Sequence, residues 1–191
     1  MSLESGKKLV ALRHTAVATT AGLCYGQIDV PLATSYAEDL NLVKQRLRAP
    51  GFSRVISSPL KRCHRLAIDL ECGPVTRDPR IQELSFGQWE GQLWSEIPRE
   101  ISEYWTDDVI HRSPPGGESF VNLVERVATV IRDPELWQDS ESVLLVTHAG
   151  VIRALIHLLE GREYAECLKE NISFGEYRAW DFSGPLRTRG P

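Results

Sequence analysis

The stretch "SVLLVTHAGVIRALIHLLEG", residues 142–161, constrains the fold more than any other. It opens with an unbroken apolar run, Val143 to Val146, which reads as a strand covered on both faces. From Val151 the apolar residues recur at helical spacing, and Gly161 ends the run. The same alternation appears elsewhere. "KLVALR" (8–13) reads as a short buried strand, and "SRVISSP" (53–59) as a second that runs into the helical "LKRCHRLAIDLE" (60–71). Short apolar strands alternating with helices argue for an α/β chain: a three-layer α/β/α sandwich with a largely parallel sheet.

The remaining segments fit around that frame. Residues 15–32 read as a long loop punctuated by Gly22, Gly26 and Pro31, and residues 33–47 as an amphipathic helix stopped by "APG" (49–51). Residues 74–84 give a short extended piece and a connection. The less regular residues 85–120, with Trp89, Trp94, Tyr104 and Trp105, are expected to form a lid-like insertion within one domain spanning 1–191. Phe120, Leu123, Val124, Val127 and Ile131 mark a helix, and "FGEYRAWDF" (174–182) a late strand. Residues 1–7 are expected to be disordered or tag-derived, and 183–191 a loose tail.

Ligands in parallel α/β sheets sit beyond the carboxyl ends of the strands. Those ends here carry Arg13 and His14, then Ser57-Ser58-Pro59 with Arg62 one helical turn on, then His148 with Ala149 opening the next helix. Two guanidinium forks match phosphate oxygens, and an imidazole can act as nucleophile or hydrogen-bond donor near neutral pH. His14 is the candidate to attack phosphorus and carry the phosphoryl group. Arg13, Arg62 and His148, with the backbone N–H of Ala149, are the candidates to hold the oxygens. Glu83, flanked by apolar Ile81 and Leu84, is the candidate to protonate the leaving oxygen and later to deprotonate water. Glu90 competes for that role but also suits a packing or capping one. Tyr25, Gln27 and Thr20, with Thr19 beside it, are weaker candidates for substrate contact. Glu118 and Ser119 suit a helix cap. The tryptophans suit lid packing better than a pocket for an aromatic group, and His64, His111 and His157 have no partner pattern.

Composition narrows the partners. Lys plus Arg is 22 against 26 Asp plus Glu, a net charge of −4, so no nucleic-acid partner is expected. No apolar run is long enough to cross a membrane and residues 1–8 lack a secretory h-region. The four cysteines form no C-x-x-C pair and the five histidines no H-E-x-x-H, so neither metal nor cofactor is expected. Reduced thiols in the cytoplasm are the reading. The expected partners are a small-molecule phosphomonoester and, as the one assembly considered, a second copy in a homodimer.

Taken together, "LVALRHT", "CYGQIDVPL", "SSPLKRC", "IQELSFGQWEG", "PGGES" and "LLVTHAGVIRAL" resemble the histidine phosphatase superfamily, the phosphoglycerate-mutase-like group, in family order. The resemblance implies His14 as phosphoryl acceptor, Arg13, Arg62 and His148 as phosphate pocket, Glu83 as proton donor, and one antiparallel strand in the sheet. "CYGQIDVPL" looks most like the alpha-ribazole-5'-phosphate phosphatases of cobalamin nucleotide-loop assembly. The implied activity is hydrolysis of a small phosphomonoester through phosphohistidine. A mutase-type phosphoryl transfer ranks below it, lacking the extra basic contacts, and a weakly active phosphate-binding member ranks lower still. The chain departs from the family at Thr15, where most members have glycine, and along Ala16 to Thr20, where the family's asparagine near the phosphate has no clear partner and Thr19 and Thr20 are the candidates for its place. Tyr25 stands where a glutamine often precedes the loop glycine.

Overall fold

The computed structural model describes residues 7–47, 51–137 and 142–182. Five strands form one sheet: β1 (Lys7–Arg13), β2 (Arg54–Ser57), β3 (Val75–Arg77), β4 (Ser142–Thr147) and β5 (Tyr177–Phe182). Their order is β3-β2-β4-β1-β5; all neighbours are parallel except β1 and β5, which are antiparallel. Among the described residues six α-helices accompany them: α1 (Tyr36–Leu47), α2 (Lys61–Asp69), α3 (Arg99–Thr106), α4 (Phe120–Ile131), α5 (Ala149–Glu160) and α6 (Tyr164–Lys169).

Strand pleating sorts the apolar residues into two layers. Leu9, Ala11, Val143 and Leu145 face α4, α5 and α6, joined there by Phe120, Leu123, Val127, Ile152 and Leu155. Val10, Leu12, Leu144 and Val146 face the opposite layer, where Val43 of α1 and Cys63 and Leu66 of α2 meet them. Each fully buried Leu or Ile in these layers contributes about 1.5–3 kcal/mol. The three-layer expectation is met, and the sheet has the one antiparallel strand expected, β5.

Several boundaries differ. α1 starts at Tyr36 rather than Ala33: Leu32 is still extended, bridged to Val17, and residues 34–35 form the turn that leads into the helix. The extended piece after residue 74 contains the edge strand β3. α5 begins at Ala149, directly after His148. Ser119 does cap a helix: its Oγ accepts the Asn122 N–H of α4 while Asn122 Oδ1 accepts the Ser119 N–H. The expected tag-derived start, apart from Lys7, the "AP" before Gly51 and the expected loose tail lie outside the described residues.

Residues 85–119, the segment expected to form a lid and here called the cap, lie against the loop that follows β1. Leu23 pairs with Leu93, Cys24 N–H donates to Gln92 O, and Trp94 N–H to Gly22 O at 2.9 Å, so this cap is laced to the loop after β1. Inside it Trp89, Phe86, Trp94 and Trp105 meet ring to ring at centroid distances of 5.2–6.0 Å. At one crossing only glycine fits: a Cβ on Gly87 would strike the backbone of residues 115–117, and one on Gly117 the Ser85 carbonyl.

Candidate active site

β1 and β4 run side by side, with Arg13 opposite Thr147, and both chains continue into a histidine. His14 N–H donates to Thr147 O at 3.0 Å, which locks the two strand ends together. The His14 and His148 rings then meet edge to face, centroids 5.2 Å apart. Arg62 joins them from the first turn of α2, and Arg13 from the end of β1. The sheet therefore brings the four expected residues to one edge.

His14 is buried, and its Nδ1 lies 2.8 Å from the Thr15 carbonyl oxygen. A carbonyl only accepts, so Nδ1 carries the proton and the lone pair sits on Nε2. Burial, then the Arg62 charge, push the His14 pKa down to about 3; the Thr15 carbonyl opposes the shift and Arg13 adds to it. The imidazole is thus neutral and nucleophilic at neutral pH. His148 is held well below its ordinary pKa by burial first, then by His14, Arg62 and Arg13.

Both arginines are held by backbone. Arg62 is 0% exposed, and its Nη1 and Nη2 donate to the Ile28 and Gly26 carbonyls at 2.8 and 2.6 Å. Arg13 Nη1 donates to Ile172 O at 2.5 Å. The Nε–H of each is buried with no partner, and among the described residues neither guanidinium has a carboxylate. A buried cation without a counter-charge is costly, so the pair is suited to an incoming anion.

Glu83 is positioned from four directions. Its Oε1 accepts Leu84 N–H at 2.9 Å and Gly150 N–H, in the first turn of α5, at 3.1 Å. A Cβ on Gly150 would press into that oxygen, so glycine is required for the approach. Gln27 Nε2 donates to the Glu83 carbonyl at 2.8 Å, and Thr147 Oγ1 donates to Ile81 O at 2.8 Å. Arg126 donates to the carbonyls of Arg80, Gln82 and Glu83 while pairing bidentately with Glu118. Glu90 instead accepts Gln27 N–H and Phe86 N–H, the packing role weighed for it.

The other candidates divide. Ala149 follows His148 at the start of α5. Tyr25 lies with its ring 5.2 Å from the Arg62 guanidinium carbon, and Gln27 is tied to Glu83. Thr20 is exposed; its carbonyl closes a turn with Leu23 N–H, and no side-chain hydrogen bond joins Thr19 or Thr20 to the cluster among the described residues. Three neighbours carry no role in the sequence reading, where Ser58 enters only as part of a strand end. Ser58 Oγ lies 2.8 Å from His148 Nε2, Cys63 Sγ lies 3.4 Å from the same nitrogen, and the Phe174 ring stacks 3.9 Å from the Arg13 guanidinium carbon. The Ser58 and Phe174 partners are 90 and 161 positions away, and only the family-like "SSPLKRC" could have pointed to Ser58 and Cys63. His157 stacks on Tyr164 and His111 bonds Asp108, both away from the cluster.

The model of the histidine phosphatase superfamily (branch 1) matches residues 9–183. The adenosylcobalamin/alpha-ribazole phosphatase of Escherichia coli is 30% identical over 188 residues, covering 95% of this chain and 93% of its own. Phosphoserine phosphatase 1 of Hydrogenobacter thermophilus is 26% identical over 161 residues, 81% of this chain and 76% of its own. The crystal structure of the alpha-ribazole phosphatase from Shigella flexneri superposes with a TM-score of 0.82 at 25% identity, covering 95% of both chains. The chain belongs to the histidine phosphatase superfamily, branch 1, and is a phosphatase of that family.

Proposed function

We propose that the chain hydrolyses a small phosphomonoester, of the alpha-ribazole 5'-phosphate kind, through a phosphohistidine on His14. The observation that carries this reading is the pair of buried, unpartnered Nε–H donors on Arg13 and Arg62 beside a neutral imidazole. The His14 Nε2 lone pair attacks phosphorus and the ester P–O bond breaks. Glu83 gives its proton to the departing oxygen. Arg13, Arg62 and His148 hold the other oxygens as charge shifts among them. Water then attacks phosphorus, Glu83 takes its proton, and the P–N bond electrons return to His14. With Oε1 bound by two N–H donors, Oε2 is the Glu83 oxygen that handles the proton.

The alpha-ribazole preference rests on "CYGQIDVPL" and on the two alpha-ribazole relatives. A cytoplasmic setting goes with it, since all four cysteines are free thiols. The test is a kinetic screen of phosphomonoesters including alpha-ribazole 5'-phosphate, phosphoserine and sugar phosphates, with acid-labile phosphoenzyme trapped in parallel. His14→Ala is expected to lower turnover by about 10⁴-fold or more and to abolish the phosphoenzyme. A fully active His14→Ala enzyme would remove His14 as nucleophile.

A further inference from the structure

We propose that Ser58 is a positioning residue for phosphoryl transfer: its hydroxyl donates to His148 Nε2 and so fixes the tautomer whose Nδ1–H meets the phosphoryl oxygens. This rests on the phosphomonoesterase reading and adds to it the group that aims His148.

Backbone contacts set the Ser58 hydroxyl in place. Ser58 N–H donates to Val146 O of β4 at 3.0 Å, and the Ser58 carbonyl accepts the Ser57 hydroxyl at 2.7 Å. The turn into α2 thus hangs on the strand that runs into His148. Ser58 and His148 are both 0% exposed, so neither side chain can turn to solvent for a partner. Ser58 Oγ lies 2.8 Å from His148 Nε2, the length of a well-formed hydrogen bond.

The protons follow by count. A neutral imidazole has one N–H and one lone pair, and His148 is kept neutral by burial first, then by His14, Arg62 and Arg13. Nε2 is occupied by Ser58. Among the described residues Nδ1 has no nitrogen or oxygen partner, only the Cys63 sulfur at 3.8 Å. Nδ1 is therefore the nitrogen left for a phosphoryl oxygen. Such an oxygen only accepts, so Nδ1 carries the proton, Nε2 keeps the lone pair, and Ser58 is the donor. The surroundings agree. Leu60 N–H donates to Ser58 Oγ at 3.4 Å, which leaves the hydroxyl proton for Nε2. The Cys63 thiol donates to Thr147 O at 3.3 Å, so the nearby sulfur does not protonate Nε2. His14 also carries its proton on Nδ1 but turns it to the Thr15 carbonyl. The two histidines thus offer the phosphoryl group opposite ends, a lone pair from His14 and an N–H from His148.

Long-range 1H–15N NMR of the ligand-free enzyme at neutral pH tests this, with His148→Gln marking which signals belong to His148. The wild type is expected to show Nδ1 protonated and Nε2 bare, and Ser58→Ala to show both tautomers. A wild-type Nε2–H, or the same assignment in Ser58→Ala, overturns the proposal. Ser58→Ala should also lower kcat/KM for p-nitrophenyl phosphate by about 10–10²-fold. On a His148→Ala background the same serine change should cost less than about two-fold, because no tautomer is left to set. A serine that only supports the fold would cost as much in both backgrounds, and that result overturns the proposal. A wild type that turns over no phosphomonoester overturns the phosphomonoesterase reading, whereas the ring-nitrogen assignment is read without turnover.

Discussion

The strand ends and the cap meet at one site but are built in opposite ways. His14 and His148 are buried just past the tips of β1 and β4, and Arg62 in the first turn of α2, on a sheet with an apolar core cluster on each face. The cap is a succession of short turns and one eight-residue helix around a ring cluster, tied to the rest by backbone hydrogen bonds and by the side chains of Glu90 and Glu118. Charge that must be fixed in space is placed on the rigid element. On the proposed function, contacts that distinguish one organic group from another fall to loops, which can vary without unseating the chemistry.

Acid should break this contrast most sharply. His14 and His148 are neutral in the fold and would titrate near their ordinary value of 6.5 when unfolded. Below that pH the unfolded chain binds more protons, so stability is full above about 6.5 and falls as the pH drops toward the folded His14 value of about 3. Each histidine kept neutral costs about 1.4 kcal/mol per pH unit in that window. Urea midpoints measured between pH 6.5 and 4 should fall steeply, and His14→Asn should flatten the slope.

Next in size is Gly150→Ala, whose added methyl displaces the Glu83 carboxyl. A misplacement of that kind costs about 10²-fold in kcat for poor leaving groups, and less for p-nitrophenyl phosphate, which needs little protonation. Equal losses on both would separate Glu83 from proton transfer. The smallest effect is expected in the cap. Trp94→Ala, at a side chain 37% exposed, should change KM by a few-fold with kcat nearly intact. A large fall in kcat there would mean that the cap takes part in the chemistry.

The same division governs what the sequence reveals. β1, β4, α4 and α5 are legible because each buries a continuous or periodic apolar set, such as Val143 to Val146 or Leu123, Val124 and Val127. α6 is not: it spans six residues and fully buries only Cys167, too little for a period to show. α3 fully buries no residue. In the site, Arg13, His14, Arg62 and His148 are readable because each sits at or just past a strand end. Ser58, Cys63 and Phe174 depend on which side chains the folded chain brings across the sheet edge. Arg126 resembles any helical arginine until the Arg80 to Glu83 segment lies beside it.

The backbone grip on Arg13 and Arg62 also bears on how the cycle ends. Guanidinium groups tied by their Nη atoms to carbonyls of three separate residues cannot swing toward solvent when the alcohol has gone. Free phosphate, the second product, meets the same fixed cations as the ester did. On the proposed mechanism its escape is expected to compete with chemistry for control of the rate, and added inorganic phosphate is expected to inhibit turnover and to raise the unfolding midpoint by mass action.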